Sequence, residues 1–377
     1  MTISIRAATV GRFGRRPEPL LELLAEAGAA ALESAPAGPI DRLVVGAMAA
    51  GPLAGEENLA ARLADRLGLP VPGGLRVDAA SASGAAAFHS AVTAISGGRA
   101  DRVLVVAGER MTGRPTPEVT TVLARSLAAE ELRAGATMPG LAALVAQVYL
   151  ERHGLAATVL DRVSVRARHA GARNPNAHLT TAVDAEAVRE SRPIAPPLHL
   201  FHCAPISDGA AAVVLERSDE GVPVLGLGEA FDAVALGDRE SLDGFRATRE
   251  AARRAYEMAR ITRKGVGVAE LHDAFAPFAL LDVEDVGLAG PGQGPTWFPA
   301  DPTAPTPIPV NPSGGLLARG HPVGASGLAQ IALVSAQLAG TAGAVQVDVG
   351  GPAGLAQSIG GLGSHVFITL LGRPEHR

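Results

Sequence analysis

The sequence predicts an α/β protein whose largely parallel sheet is covered by helices on both faces and whose two halves are alike. Three observations carry this. Short apolar runs alternate with amphipathic helical stretches through the first third, the pattern of a sheet fed by crossover helices. At 377 residues the chain exceeds the roughly 250–300 at which one hydrophobic core stops growing, so two core-bearing halves are expected. A strand, a glycine turn, a helix and a second strand also recur in one order. Segments 75–84, 85–95 and 101–108 correspond to 308–315, 325–339 and 343–350, which suggests an internal duplication.

The elements follow in order. Residues 20–32 space their leucines and alanines at helical intervals, 41–47 read as a buried strand, 56–67 as a helix and 102–108 as another buried strand. From about 112 to 197 helical stretches are joined by turns rich in Pro, Arg and His. An excursion of that length between strands is expected to form an inserted loop subdomain. Core-like sequence resumes at 207–215, and 219–223 reads as a linker, dividing the chain into an N-terminal half at 1–220 and a C-terminal half at 221–377. There, 222–228 is expected as a strand, 244–261 as a helix, 266–271 as a strand and 290–309 as a Pro- and Gly-rich loop.

Composition excludes several functions. A formal charge of −5 argues against a nucleic-acid or anionic-membrane surface. The single cysteine, Cys203, excludes an intramolecular disulfide and fits a reducing, cytoplasmic setting. The first ten residues hold no continuous apolar stretch, and nowhere is there a run of about 20 apolar residues that would span a membrane. No Walker or dinucleotide fingerprint is present. His199-Leu-Phe-His202-Cys203 offers too few ligands for a closed zinc site, so no metal is expected. Arg162, Arg166, Arg168 and Arg173 place positive charge on the insertion, either as a solvated helix face or toward a ligand's phosphates.

Chemistry gathers at three places. His321 stands in Asn311-Pro-Ser-Gly-Gly-Leu-Leu-Ala-Arg-Gly-His321-Pro-Val-Gly-Ala-Ser-Gly327, a glycine-rich turn ahead of an apolar helix, where an imidazole is held rigidly and can act as a general base. Ser81 lies in Val77-Asp-Ala-Ala-Ser81-Ala-Ser83-Gly84, where a strand turns into a helix beside unpaired N–H groups and the positive end of the dipole. Ser83 reads as a helix cap and His89, a turn further on, as a packed histidine. His272, in Leu271-His272-Asp273-Ala-Phe-Ala-Pro277, follows a buried strand; Asn311, before a proline, is a ligand candidate and equally a turn former.

These motifs resemble the thiolase superfamily over essentially the whole chain, through residues 9–15, 95–111, 174–177, 197–199, 207–212, the two histidine motifs and 359–364. The similar branch is that of the sterol-carrier-linked and archaeal thiolase-like acetyl-CoA acetyltransferases. The resemblance implies a five-layer αβαβα fold, a homodimer or tetramer built through the sheets, and acyl-CoA or another acyl thioester as substrate, with no resident cofactor. Some relatives of this branch work with a small zinc-ribbon/OB-fold partner protein. The resemblance puts Ser81 where the family has its cysteine nucleophile, makes His272 a donor to a thioester oxyanion, and carries substrate contacts to Asn311, Gly351 and Gly361. A thiol near pKa ~8.5 can rest as a thiolate at such an elbow, whereas a serine needs a base at the moment of attack. Ser81 is therefore a true serine nucleophile, a remnant, or a cysteine replaced by design. The family's second cysteine is also missing, since Ala356-Gln-Ser-Ile-Gly-Gly-Leu-Gly-Ser364 has no titrating group. The implied activity is C-acyl transfer making or breaking a carbon–carbon bond β to a thioester. The alternatives are a lyase or decarboxylase using the two histidines without an acyl-enzyme, and a catalytically silent subunit.

Overall fold

In the computed structural model, which describes residues 2–71 and 73–374, the first half runs β1 (Ile3–Val10), α1 (Leu20–Ser34), β2 (Arg42–Gly46), α2 (Leu59–Arg66), β3 (Gly74–Val77), α3 (Ser83–Ser96) and β4 (Arg102–Glu109). The insertion follows as α4 (Thr116–Ala124), α5 (Ala129–Arg133), α6 (Met138–Arg152), α7 (Thr158–Gly171), α8 (Ala185–Glu190) and the short strands β5 (Pro193–Ala195) and β6 (Leu198–His199). The chain rejoins the sheet as β7 (Gly209–Arg217). The second half holds β8 (Val222–Phe231), α9 (Arg246–Ala259), β9 (Val266–Glu270), α10 (Ala276–Asp285), α11 (Gly315–Arg319), α12 (Val323–Ala339), β10 (Ala353–Gly360) and β11 (His365–Gly372).

Strand alternation sorts these elements into layers. On β4, Leu104 and Val106 face one way and pack with Leu20 and Leu24 of α1 and Leu59 and Leu63 of α2. Val103, Val105 and Ala107 face the other way, toward Phe88 and Ile95 of α3 and Leu328 and Ile331 of α12. The same central cluster takes Val268, Ala356 and Phe367 from the second half, whose opposite face, with Leu355 and Ile368, packs on α9 and α10. The result is helix, sheet, helix, sheet, helix, with α3 and α12 in the middle. Among the described residues no helix is long and apolar enough to cross a membrane.

The duplication is visible in the pairing. The large sheet has the order β3-β2-β4-β7-β1-β8-β11-β10-β9 and is mixed, which corrects the expected largely parallel one: five pairings are antiparallel and three parallel, since the chain re-enters beside β4 as β7 and turns directly from β10 into β11. From the β1/β8 junction each half reads alike outward: two antiparallel pairings (β1 with β7 and β7 with β4; β8 with β11 and β11 with β10), then a parallel one (β4 with β2; β10 with β9). The counterpart of β4 is therefore β10, which corrects the expected strand at 343–350. That segment forms a short turn, Gly343–Val345, and then irregular chain. The Gln337 side chain supplies the reason, since its amide oxygen accepts the Val347 N–H at 3.0 Å and replaces a ladder partner. The segment equivalent to β3 shrinks to one parallel bridge, Val310 with Ala269. Pro309 and Pro312 flank it and have no N–H to extend it.

Two contacts fix the middle layer and the insertion. A Cβ on Gly84 would lie 2.7 Å from Gly324 O and 2.8 Å from Leu328 N, so α3 and α12 meet backbone to backbone at their first turns. The insertion belongs by sequence to the first half but packs on the second: Leu160 and Val163 of α7 share a core with Leu317 and Ala318 of α11. Gly84→Ala should cost about 1–3 kcal/mol by urea unfolding, although alanine is the better helix former, because the opposing atoms are backbone. Gly350→Ala, facing open space, should stay within about 0.5 kcal/mol.

Candidate active site

The helix contact at Gly84 and Gly324 brings together the two turns that precede these helices, and the singled-out residues occupy equivalent places in them. Ser81 and His321 each stand three residues before the contacting glycine.

At the first turn Ala80 adopts φ 51°, an uncommon conformation for a residue with a Cβ. Its neighbours hold it there. Asp78 accepts the Ala80 N–H at 2.9 Å, and Ser83 Oγ accepts the Ala79 N–H at 3.0 Å while donating to Ala80 O at 2.6 Å. Ser83 thus bonds backwards into the turn and is not a cap for the following helical N–H groups. Ser81, 8% exposed, donates its hydroxyl to Ile359 O at 2.7 Å, across to the end of β10.

At the second turn the backbone of His321 forms a parallel bridge with Ile206 and donates its N–H to Ser207 Oγ at 3.2 Å. Its Nδ1 lies 2.8 Å from Ser326 Oγ, and the Ser326 hydroxyl donates to Pro322 O at 2.9 Å. With that proton committed, Nδ1 must carry the ring hydrogen and Nε2 keeps its lone pair. Burial, reinforced by the Arg319 charge, pushes the His321 imidazole down to about 3. His272 meets it edge to face, with ring centroids 5.1 Å apart. Burial holds His272 well below the usual histidine range as well, aided by His321 and Arg319 and opposed by Gln330. Its backbone N–H donates to Gln357 Oε1 at 3.2 Å, and Gln357 is held in turn by Asp282 at 2.7 Å. His272 Nδ1 is buried without a hydrogen-bond partner among the described residues.

The other candidates divide. Asn311, at φ 49°, accepts the Leu271 N–H on Oδ1 at 2.6 Å, so it anchors the segment that delivers His272. Gly361, at φ 62°, directly follows the end of β10 that receives Ser81. Gly351 lies apart from these residues. A Cβ there would meet Gly265 O at 2.7 Å and Gly267 N at 2.8 Å, at the start of β9. His272 lies beyond the other end of that strand, about 16 Å away at ~3.3 Å per residue. Close backbone packing by itself accounts for a glycine at 351.

His89 bonds Thr369 Oγ1 at 3.0 Å and stacks edge-on against Phe367 in the central core. His202 accepts the His199 N–H at 3.0 Å and pairs with Asp161, also at 3.0 Å, while His199 Nδ1 pairs with Ser191 O at 2.8 Å. Burial pushes the Cys203 thiol up to about 12, which leaves it inert. Arg166 donates to Pro302 O and Ala304 O, and Arg168 to Thr181 O; Arg162 and Arg173 are exposed.

Four residues escaped the sequence reading. Ser326 sets the tautomer. Glu109 accepts the Met48 N–H at 2.9 Å beneath the first turn of α12, and burial pushes it up to about 7. Glu270 and Arg319, both fully buried, form an ion pair beside the histidines. The available signal was a charge closing an otherwise apolar run, Val266-Gly-Val-Ala-Glu270 and Leu316-Leu-Ala-Arg319.

Residues 4–192 match the thiolase N-terminal domain and residues 228–373 the thiolase C-terminal domain-like family. The acetyl-CoA acetyltransferase of Methanothermobacter thermautotrophicus is 38% identical over 365 residues, 93% of this chain and 94% of its own length. The benzoylsuccinyl-CoA thiolase subunit BbsB of Thauera aromatica is 34% identical over 283 residues, 73% of either chain. The solved Ltp2–ChsH2(DUF35) aldolase has the same fold, with a TM-score of 0.84 at 21% identity over 100% of this chain and 99% of that one.

Long-range 1H–15N spectra of histidine-labelled protein should show His321 neutral, with its proton on Nδ1, from neutral pH down to about pH 5. A lowered folded-state pKa means the unfolded chain takes up the proton first, so this group favours the fold above about pH 6.5 and its contribution is lost progressively below. Ser326→Ala should mix the two tautomers.

Proposed function

The chain belongs to the thiolase family, and from that premise we infer that it is an acyl-CoA C-acyltransferase, making or breaking a carbon–carbon bond β to a thioester, with Ser81, His272 and His321 as its working groups. The observation that carries the assignment is the facing imidazole pair with a free Nε2 on His321, at the convergent first turns of α3 and α12. Coenzyme A thioester enters as substrate and no resident cofactor is required. In the synthetic direction, His321 Nε2 takes the Ser81 proton as Oγ attacks the acyl carbonyl, and the departing coenzyme A thiolate receives that proton. A second acyl thioester then loses an α-proton to His321, the enolate oxygen accepts a hydrogen bond from His272, the carbanion attacks the acyl-serine carbonyl, and His321 returns its proton to the departing Ser81 oxygen.

A specific observation favours a second reading. The Ser81 hydroxyl donates to Ile359 O, a carbonyl, and so has no base on its proton in this state. A non-covalent retro-aldol or retro-Claisen lyase would need only the two histidines. The solved neighbour with the same fold is named an aldolase, in keeping with that chemistry.

We place the protein in the cytoplasm as a homodimer or tetramer. Strand β3, at the end of the sheet with alternate side chains exposed, leaves one backbone edge free to pair with a second copy. A small zinc-ribbon/OB-fold protein is a further proposed partner, in line with the DUF35 component named in the aldolase structure. Analytical ultracentrifugation should therefore show a species of at least two chains.

Intact-mass measurement after incubation with acetyl-CoA should show an acetyl adduct that Ser81→Ala abolishes and Ser81→Cys retains. An adduct on the Cys variant alone would select the non-covalent reading. His321→Gln should lower turnover of acetoacetyl-CoA by roughly 10²–10⁴-fold, the scale of a lost general base, with the fold intact by circular dichroism.

A further inference from the structure

Glu270 and Arg319 each stand two residues ahead of a site histidine. Glu270 closes β9 before Leu271-His272, and Arg319 closes α11 before Gly320-His321. They are 0% and 1% exposed, and Arg319 Nη1 lies 3.6 Å from Glu270 Oε2. Their hydrogen bonding is unequal. Glu270 accepts from the Ser313 N–H at 3.2 Å and the Ser313 hydroxyl at 2.8 Å. Nε, Nη1 and Nη2 of Arg319 have no hydrogen-bond partner among the described residues, and the guanidinium carbon lies 5.5 Å from the Phe13 ring centroid. An arginine buried as a structural fork is expected to engage carbonyls or a bidentate carboxylate. This one makes its case by charge.

The two pairs run in step. One residue on from each intervening position, His321 and His272 face each other at 5.1 Å just as Arg319 and Glu270 do behind them. We infer that Arg319 and Glu270 are positioning residues for this site, a buried ion pair that holds the two histidine segments at their separation and sets the potential both imidazoles feel. The other charged or titratable groups nearby are Asp273 against the Leu316 N–H, Glu109 beneath Gly324, Asp208 and His178 around Ser207, Arg15 near His178, and Asp78 ahead of Ser81. Burial pushes Asp273 up to about 7, so it offsets little of the Arg319 charge under acidic conditions. A cation in that position adds to burial, the larger cause, in keeping both rings neutral, and it favours negative charge developing on an oxygen between them. The consequence for turnover rests on His321 acting as the base; the electrostatic role does not.

The test is histidine titration by 1H–15N NMR in the full chain, without ligand, with the pH profile of acetoacetyl-CoA turnover beside it. Arg319→Gln should raise the His321 pKa by about one to three units, and the acid limb of kcat/KM should move with it. Arg319→Lys should keep the low pKa and restore turnover. The paired variant Arg319→Met with Glu270→Met removes both charges together and so avoids stranding a buried carboxylate; it too should show the raised pKa. Unchanged titration in Arg319→Gln and in the paired variant would overturn the proposal, as would an Arg319→Lys chain that titrates like Arg319→Gln. A wild type that turns over no acyl-CoA while its variants titrate as stated would sink the acyltransferase reading and leave this one standing.

Discussion

The contact between Gly84 and Gly324 is the constraint from which the rest of the site follows. Two helices from different halves bring their first turns backbone to backbone here because Gly84 carries no side chain toward Gly324 O and Leu328 N, and Gly327 carries none toward Ala85 N, which its Cβ would meet at 2.9 Å. That approach sets the depth of the central layer and aligns the turns at 79–83 and 320–322. It also presses α12 toward β4, since a Cβ on Gly324 would lie 2.7 Å from Glu109 Oε2 and 2.8 Å from Gly108 O. The hydrophobic layers supply the driving force, but they would tolerate sliding. The glycine contact does not.

Dryness governs the chemistry at those turns. His272, His321, Glu109, Asp273 and Glu270 are all shifted toward their neutral forms, with burial the largest cause in each case. Hydrogen bonds then decide direction. Ser326 fixes which nitrogen of His321 is free, Gln357 and Asn311 pin the backbone around His272, and Ser83 locks the turn that presents Ser81. The proposed working groups are few, and the residues that orient them are more numerous and mostly uncharged.

The legible parts of the sequence were those with a local cause. Residues 102–108 read as a strand because both faces are buried, and 325–339 as a helix because its residues are small and apolar. The turns of Ser81, His272 and His321 were legible because glycine and histidine in such spacing have few structural uses. The segment 343–350 looked like its neighbours, Val alternating with polar residues, yet Gln337 from the preceding helix takes its backbone donor. Nothing local reveals that. The helix expected from residue 56 starts at Leu59 because Asn58 adopts φ 50°. The packing reason for Gly351 was not legible, because a glycine required by packing and one required by a ligand look alike in a sequence. Arg319 and Glu270 were hidden for the opposite reason, since a lone charge at the end of an apolar run reads as a solvent-facing terminus.

The position of β1 bears on how the chain is made. It lies at the centre of the large sheet, between β7 and β8, and Ser4 bonds to Ser218, 214 residues away in sequence. At about 5–20 residues per second, a ribosome leaves β1 without its partner for roughly 10–40 s. Contacts of such long range slow folding, and an apolar strand waiting with two open edges invites the wrong neighbour. Through that interval the nascent first half depends on its own helices, or on a chaperone, to keep β1 covered until β7 emerges.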